Sequence, residues 1–345
     1  MNVLILGGGV FVGRHLVEAA LAAGHAVTTF SRGREDAPPG VEALIGDRRG
    51  DLSALRGRRW DAAIDVAAYV PSVVRAAGDV LADAVDHYTL VSTRSVYADL
   101  ARCAVGGPVA ELSDADLAAA EAMVPDGRSS ATLYGRSYGG LKVRCEQAAA
   151  AAFGQRLLVI RPGLIVGPRD PTDRFTYWPA RLARGGDVLA PGAPDRIVRF
   201  VDARDLAAWA IDAAARRLGG TFDVTGADGV TMGSMLDACR APGVPARLVW
   251  ADEAFLLARG VAPWSELPLW IRAVDNAFLE AGNDAAVAAG LTFRSVADTA
   301  RDTRAWDEAR GPGPREAGLA PDREAALLGA LRVARSAERP PVTER

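Results

Sequence analysis

The sequence predicts an α/β protein: a doubly wound parallel sheet followed by a smaller C-terminal substrate-binding cap. Three observations carry this. The chain opens on an apolar strand, a glycine turn and an amphipathic helix; short apolar runs then alternate with helical stretches to residue 169; beyond it the alternation loosens. With 345 residues, 50% hydrophobic and 24% charged, the chain has room for one large domain and a smaller partner.

Val3-Leu-Ile-Leu6 is apolar without alternation, as a strand covered on both faces must be. The turn Gly7-Gly-Gly-Val-Phe-Val-Gly13 follows, then a helical run with Leu16, Val17, Ala20 and Leu21 on one face, stopped by Gly24. Ala26 to Phe30 is a second strand and completes a βαβ unit. In that setting Gly7, Gly9 and Gly13 allow a tight turn and let a pyrophosphate reach backbone N–H groups at the positive end of the helix. Val10 stands where a G-x-x-G-x-x-G pattern has its middle glycine. At the tip of the second strand, Phe30-Ser31-Arg32-Gly33-Arg34 lacks the acid that meets a ribose 2′-OH. Ser31 and Arg32 suit a 2′-phosphate instead, so the expected cofactor is NADP(H) in preference to NAD(H). The bland alternative makes Arg32 and Arg34 solvated loop charges.

Val41 to Ile45 gives a third strand ending at Asp47, a carboxylate within reach of an adenine amino group. Asp61 to Val66 gives a fourth, followed by the small pair Ala67 and Ala68, over which a cofactor can pass closely. Tyr88 to Ser92 gives a fifth and runs into Thr93-Arg94-Ser95-Val96-Tyr97, placing hydroxyls where open α/β sheets hold their chemistry. Residues 100–132, with a short helix from Ser113 to Met123, read as an insertion, either a lid or a passive excursion. Tyr138 to Phe153 is an alanine-rich helix, and Leu157 to Ile160 a sixth strand ending in Arg161-Pro162-Gly-Leu-Ile-Val-Gly-Pro168. The expected division is a dinucleotide-binding domain over 1–169, a cap over 170–310 partly interleaved with it, and a tail over 311–345 carrying one helix.

Of the 40 Lys and Arg residues, one is a lysine, Lys142. Arginine serves wherever a planar fork will do, whereas lysine is a compact ammonium whose pKa shifts readily. Tyr138 precedes it by four positions, so the two share a helix face. A nearby ammonium favours a phenolate, which predicts a lowered Tyr138 pKa and a tuned proton donor and acceptor. The competing reading is a surface lysine beside a core tyrosine.

Bulk features narrow the function. The formal charge is −3 with no basic run, so neither nucleic acid nor a membrane surface is an expected partner. Cys103, Cys145 and Cys239 are few, odd in number and far apart, which fits a reducing, cytoplasmic setting. His15, His25 and His87 show no metal-ligand spacing, and no metal is expected. The apolar start leads straight into the glycine turn and has no signal-peptide pattern.

The glycine turn, the strand-end Thr93 and Tyr138-x-x-x-Lys142, in this order, make the chain resemble the extended short-chain dehydrogenase/reductases, within the NAD-dependent epimerase/dehydratase superfamily. The turn is similar to the G-G-T-R-F-I-G of an atypical branch. The resemblance implies a Rossmann domain over much of residues 1 to 300, with NAD(P) and a Ser/Thr-Tyr-Lys catalytic set. In that set Tyr138 is the general acid/base, and Lys142 holds the nicotinamide ribose and lowers the Tyr138 pKa. Thr93 steadies the reacting oxygen, with Ser92 and Ser95 as alternatives. Val10, Phe11 and Val12 line the pyrophosphate, and Pro162 lies beside the cofactor. Arg94, Tyr97, Tyr134, Tyr177, Trp178 and Arg199 are the candidate substrate residues, for a small molecule with a polar or anionic end. Arg161 to Pro168 lacks the asparagine and tyrosine of many extended members, and Thr93-Arg94-Ser95 lacks the dehydratases' carboxylates. The leading expectation is an oxidoreductase at a carbonyl or secondary-alcohol carbon. A nucleotide-sugar epimerase that retains its cofactor, and a non-catalytic NADP-sensing or RNA-associated protein, are the alternatives. The resemblance also implies a homodimer.

Overall fold

The structure, a computed structural model, describes residues 1–99, 105–124, 130–275 and 282–337. Its strands are β1 (Asn2–Leu6), β2 (Ala26–Ser31), β3 (Val41–Ile45), β4 (Trp60–Asp65), β5 (Val85–Val91), β6 (Leu157–Pro162), β7 (Ile165–Val166), β8 (Gly186–Pro191), β9 (Val201–Asp202), β10 (Gly220–Val224) and β11 (Ala246–Ala251). Seven of them form one parallel sheet in the order β10-β6-β5-β4-β1-β2-β3. Strand order therefore reverses between β1 and β4. A crevice outside the carboxyl ends of the strands opens at such a point, and ligands of open α/β sheets bind there.

Both faces of this sheet are covered, which is why its strands read as continuous apolar runs. Val3 and Ile5 enter a core with Leu16, Val17, Leu206 and Ala210, from the helices Phe11–Ala22 and Ala203–Ala215. Leu4 and Leu6 enter the opposite core with Val74, Leu81, Ala149 and Phe153, from the helices Pro71–Leu81 and Tyr138–Phe153. Each of the buried Val, Leu, Ile and Phe side chains among these is worth about 1.5–3 kcal/mol. β5 begins earlier than its apolar pattern suggests, because His87 is buried in the strand with Nε2 against the Leu218 carbonyl at 3.0 Å. β6 likewise continues through Arg161 and Pro162.

The described residues divide into two compact units: those within 1–165, 199–227 and 277–293 form the first, and those within 166–198, 228–276 and 294–345 the second. The first holds the seven-stranded sheet. In the second, β8 and β11 pair in parallel, and Glu324 of the helix Pro321–Ala337 is buried against this pair. Its carboxylate accepts from Arg181 Nε at 2.5 Å and from Leu189 N at 3.0 Å. Residues 311–337 thus contribute to the second unit's interior. The expected insertion over 100–132 is described in part, as the helices Asp114–Ala122 and Ser130–Tyr134; residues 100–104, with Cys103, and 125–129 lie outside the described residues. Cys145 and Cys239 are buried free thiols.

Candidate active site

The glycine turn is dictated by contact distances. A Cβ on Gly13 would lie 2.1 Å from the Gly7 carbonyl oxygen, and one on Gly7 would lie 2.9 Å from the Ala67 side chain. The backbone of the turn and the end of β4 are in contact, so Ala67 has to be small as well. The helix Phe11–Ala22 starts without a side-chain cap and without an acid in its first turn. Its leading N–H groups and positive dipole end face outward, the arrangement that holds a phosphate. Gly9 and Phe11 are partly exposed there, Val10 is exposed, and Phe11 takes φ 35° at the turn. The cradle fits a dinucleotide pyrophosphate.

Around this cradle, Ser31 ends β2 with its hydroxyl accepting the Gly33 N–H at 3.2 Å, and Arg32 is exposed beside it. Glu35, unremarked in the sequence pattern, packs its side chain near Gly9. Asp47 is exposed and accepts the Arg49 N–H at 2.9 Å. Next to it, Arg48 turns inward onto Asp65, the last residue of β4, with two bonds of 2.5 and 2.6 Å. Asp65 is fully buried and also accepts from Tyr88 Oη at 2.7 Å and from the Ala67 N–H at 2.9 Å. This cluster ties the loop after β3 to the Ala67-Ala68 segment. Sequence reasoning missed it; an acid ending an otherwise apolar strand was the available signal.

On the helix Tyr138–Phe153, Lys142 is 1% exposed. Its Nζ donates to the carbonyls of Ala68 at 2.7 Å and Val91 at 2.8 Å, just beyond β4 and at the end of β5, and lies 5.9 Å from the centre of the Tyr69 ring. An ammonium has three N–H donors, so one is left without a protein acceptor among the described residues. Tyr138 differs from the expectation drawn from its spacing. Burial pushes its phenol well above the ordinary value, neighbouring Tyr69 adds to this, and a side-chain hydrogen bond with Thr93 pulls the other way. The predicted lowering by Lys142 is absent because that ammonium is committed to two carbonyls and desolvation of a phenolate dominates.

Thr93 reaches Tyr138 for a local reason. A Cβ on Gly139 would lie 2.1 Å from the Ser95 carbonyl oxygen, so only glycine lets the segment after β5 press against the helix. Thr93 Oγ1 accepts the Ser95 N–H at 3.2 Å and caps the short 3-10 turn Arg94–Val96. The alternative hydroxyl Ser92 is spent elsewhere, donating to Glu146 at 2.5 Å. Glu146, one turn beyond Lys142, also holds Arg161 through bonds of 3.0 and 2.7 Å. The Arg161 guanidinium lies 4.9 Å from the centre of the Tyr97 ring, and Tyr97 Oη donates to the Asp223 carboxylate at 2.8 Å. Glu146, Arg161 and Asp223 were not singled out in the sequence, although the i+4 step from Lys142 to Glu146 pointed to the first.

The candidate substrate residues separate. Arg94 and Tyr97 are buried in this network: the Arg94 charge acts on Asp223, and burial pushes the Tyr97 phenol up to about 12. Tyr134 is buried with Val70, Val73 and Leu141. In the second unit Trp178 is fully buried with its indole N–H on the Pro268 carbonyl at 2.8 Å, which makes it core rather than lining. Tyr177 is buried against Gly318 and is also core. Arg199 is partly exposed, and Pro162 is buried at the end of β6.

A seven-stranded parallel sheet of this order, with a glycine-built phosphate cradle at its switch point, defines a dinucleotide-binding protein of the Rossmann class. More narrowly, the chain belongs to the NAD dependent epimerase/dehydratase family, whose sequence profile matches residues 3–224. Its fold is similar to that of the Bordetella bronchiseptica enzyme WbmG, solved with NAD and UDP, at 17% identity and a TM-score of 0.61, covering 90% of this chain and 94% of that one. It is also similar to UDP-glucuronic acid 4-epimerase from Bacillus cereus, solved with NAD, at 16% identity and a TM-score of 0.56, covering 91% and 99%. The human epimerase family protein SDR39U1, solved with NADPH, matches at 18% identity and a TM-score of 0.52, covering 88% and 99%. No curated protein matched the sequence. Among the described residues, no helix is long and apolar enough to cross a membrane, and no cluster of three or more His, Cys, Asp or Glu residues could hold a metal.

Proposed function

We propose that the protein moves a hydride at a secondary-alcohol or carbonyl carbon of a small metabolite, with Tyr138 as the group that moves the proton. The observation that carries this reading is the buried Lys142 ammonium, held at the carboxyl ends of two central strands one helical turn from a phenol hydrogen-bonded to Thr93. A nicotinamide dinucleotide, when bound, supplies the hydride donor or acceptor. Gly7, Gly9 and Gly13 with the amides of Val10, Phe11 and Val12 would hold its pyrophosphate, Asp47, Ala67, Ala68 and Pro162 its remaining surface, and the spare Lys142 N–H a ribose hydroxyl. Ser31 and Arg32 support NADP(H) over NAD(H).

In the reducing direction the protonated phenol of Tyr138 donates to the forming alkoxide, and the Thr93 hydroxyl orients that oxygen. The raised pKa keeps the phenol protonated through neutral pH, which favours its use as an acid. The epimerase reading has at least equal support, from the family and from the likeness to UDP-glucuronic acid 4-epimerase. In that case the same residues take a proton and return it, and the cofactor ends unchanged.

One experiment tests the shared step. Tyr138→Phe should remove turnover by at least about a thousandfold while cofactor affinity changes by less than about threefold. Full activity in that variant ends the proposal. Net change in nicotinamide absorbance during wild-type turnover marks an oxidoreductase, and turnover without it marks an epimerase.

A further inference from the structure

The two carbonyls that hold the Lys142 ammonium are fixed by different means. Val91 ends β5 opposite Ile160 of β6, and the next residue, Ser92, donates its N–H to the Ile160 carbonyl at 2.7 Å, so the ladder sets the Val91 carbonyl. Ala68 lies three residues past the end of β4, outside the ladder. The last contact of ladder type on its side is the Val66 N–H on the Leu6 carbonyl at 3.2 Å. Beyond it the chain is turned by Asp65, whose Oδ1 accepts the Ala67 N–H at 2.9 Å. A carboxylate that binds the N–H two residues on closes a local turn. This one fixes the segment that leads to the Ala68 carbonyl. The same segment walls the glycine cradle, since a Cβ on Gly7 would lie 2.9 Å from that of Ala67.

Asp65 is fully buried on a strand whose neighbouring residues Ala62, Ala63 and Ile64 are apolar. A buried ion pair adds little stability over apolar side chains of the same volume. What it adds here is direction. Besides the Ala67 N–H, the Asp65 carboxylate takes Arg48 Nη1 and Nη2 from the loop after β3 and Tyr88 Oη from β5. Four donors from three segments leave it one orientation. Burial disfavours the Lys142 ammonium, Cys145, Asp65 and Glu146 favour it, and Arg48 opposes it. Asp65 and Arg48 thus act on its charge with opposite signs, and their joint effect is one of placement.

We infer that Asp65 is a positioning residue for Lys142. It holds residues 66–68 so that the Ala68 carbonyl meets the ammonium, and the third N–H is kept for the cofactor. The inference deepens the reading of Lys142 as a ribose-binding group and rests on it for that last step alone.

Because the chain has one lysine, protein isotope-labelled at the lysine ε-carbon gives a single NMR signal from this side chain. The Tyr69 ring, 5.9 Å from Nζ, displaces that signal from the free-lysine position. Arg48→Met/Asp65→Leu exchanges the pair for apolar side chains of similar size at unchanged net charge, a replacement that buried pairs tolerate. It should bring the signal most of the way to the free-lysine position and weaken NADP(H) by roughly tenfold or more. Asp65→Ala loses the acceptor by a second route and should move the signal likewise. Asp65→Asn keeps an oxygen for the Ala67 N–H, and Tyr88→Phe removes a donor that does not touch the turn. Both should leave the signal near its wild-type position, read at a pH low enough to keep the ammonium charged. An unmoved signal in the folded double variant or in Asp65→Ala overturns the inference. So does an equal movement in Asp65→Asn or Tyr88→Phe, which would make the cluster a matter of charge or of packing. A wild-type signal that NADP(H) leaves in place counts against the ribose-binding reading and not against the hold of Asp65 on the lysine.

Discussion

Asp170 shows how a single side chain can cost the fold stability while remaining in place. Burial pushes its carboxyl up to about 6, above the ordinary carboxylate value. A carboxyl raised on folding contributes stability that is fully present below its unfolded pKa and is lost as pH rises through its folded value. The loss should therefore fall between about pH 4 and 6 and amount to about 2–3 kcal/mol, from a shift of about two units. Asp170→Asn removes the charge, so it should raise the melting temperature at pH 7.5 and have little effect near pH 4. Thermal denaturation at the two pH values checks this, and an equal effect at both contradicts it. At this scale the sequence was partly legible. Tyr138, Lys142 and Thr93 could be found because their spacing on helix and strand end is a local property. Arg48 and Asp170 could not, since their importance comes from partners or burial that no local pattern encodes, and Asp65 left only the trace of an acid ending an apolar strand.

Elements were easier to read than their contacts. The helix Tyr138–Phe153 begins and ends where its composition says, and the first four strands follow from apolar runs bounded by glycine or charge. The reason for Gly139, inside a helix where glycine costs about 1 kcal/mol relative to alanine, appears only with the Ser95 carbonyl against it. That contact joins the segment after β5 to the Tyr138 helix. Gly139→Ala, neutral or stabilising in an isolated helix, should here displace the Thr93 hydroxyl from the phenol. The expected result is at least about a tenfold fall in turnover with cofactor affinity kept, because the added methyl lies away from the glycine cradle. Steady-state kinetics beside a cofactor titration decides it; unchanged kinetics would mean the contact is slack.

At the level of the whole molecule, the doubly wound sheet was evident from the sequence and some interleaving of the units was expected, whereas the segments that return were not identified. Residues 199–227 return to the first unit because β10 pairs with β6, Gly220 opposite Leu158, and because the helix Ala203–Ala215 completes the cover over β1. Such pairing across sixty residues leaves no trace in local periodicity. The tail helix has a comparable role, its Glu324 closing the donors of Arg181 and Leu189 inside the second unit. The solitary lysine has a last, practical consequence. Since Lys142 is 1% exposed, an amine-acylating reagent should spare it on the native protein and reach it only when the protein opens. Mass spectrometry of the peptide that carries it would then show no adduct at first, and the rate at which one grows in would be a built-in clock for unfolding. Immediate acylation of that peptide would mean that the lysine is not sealed in.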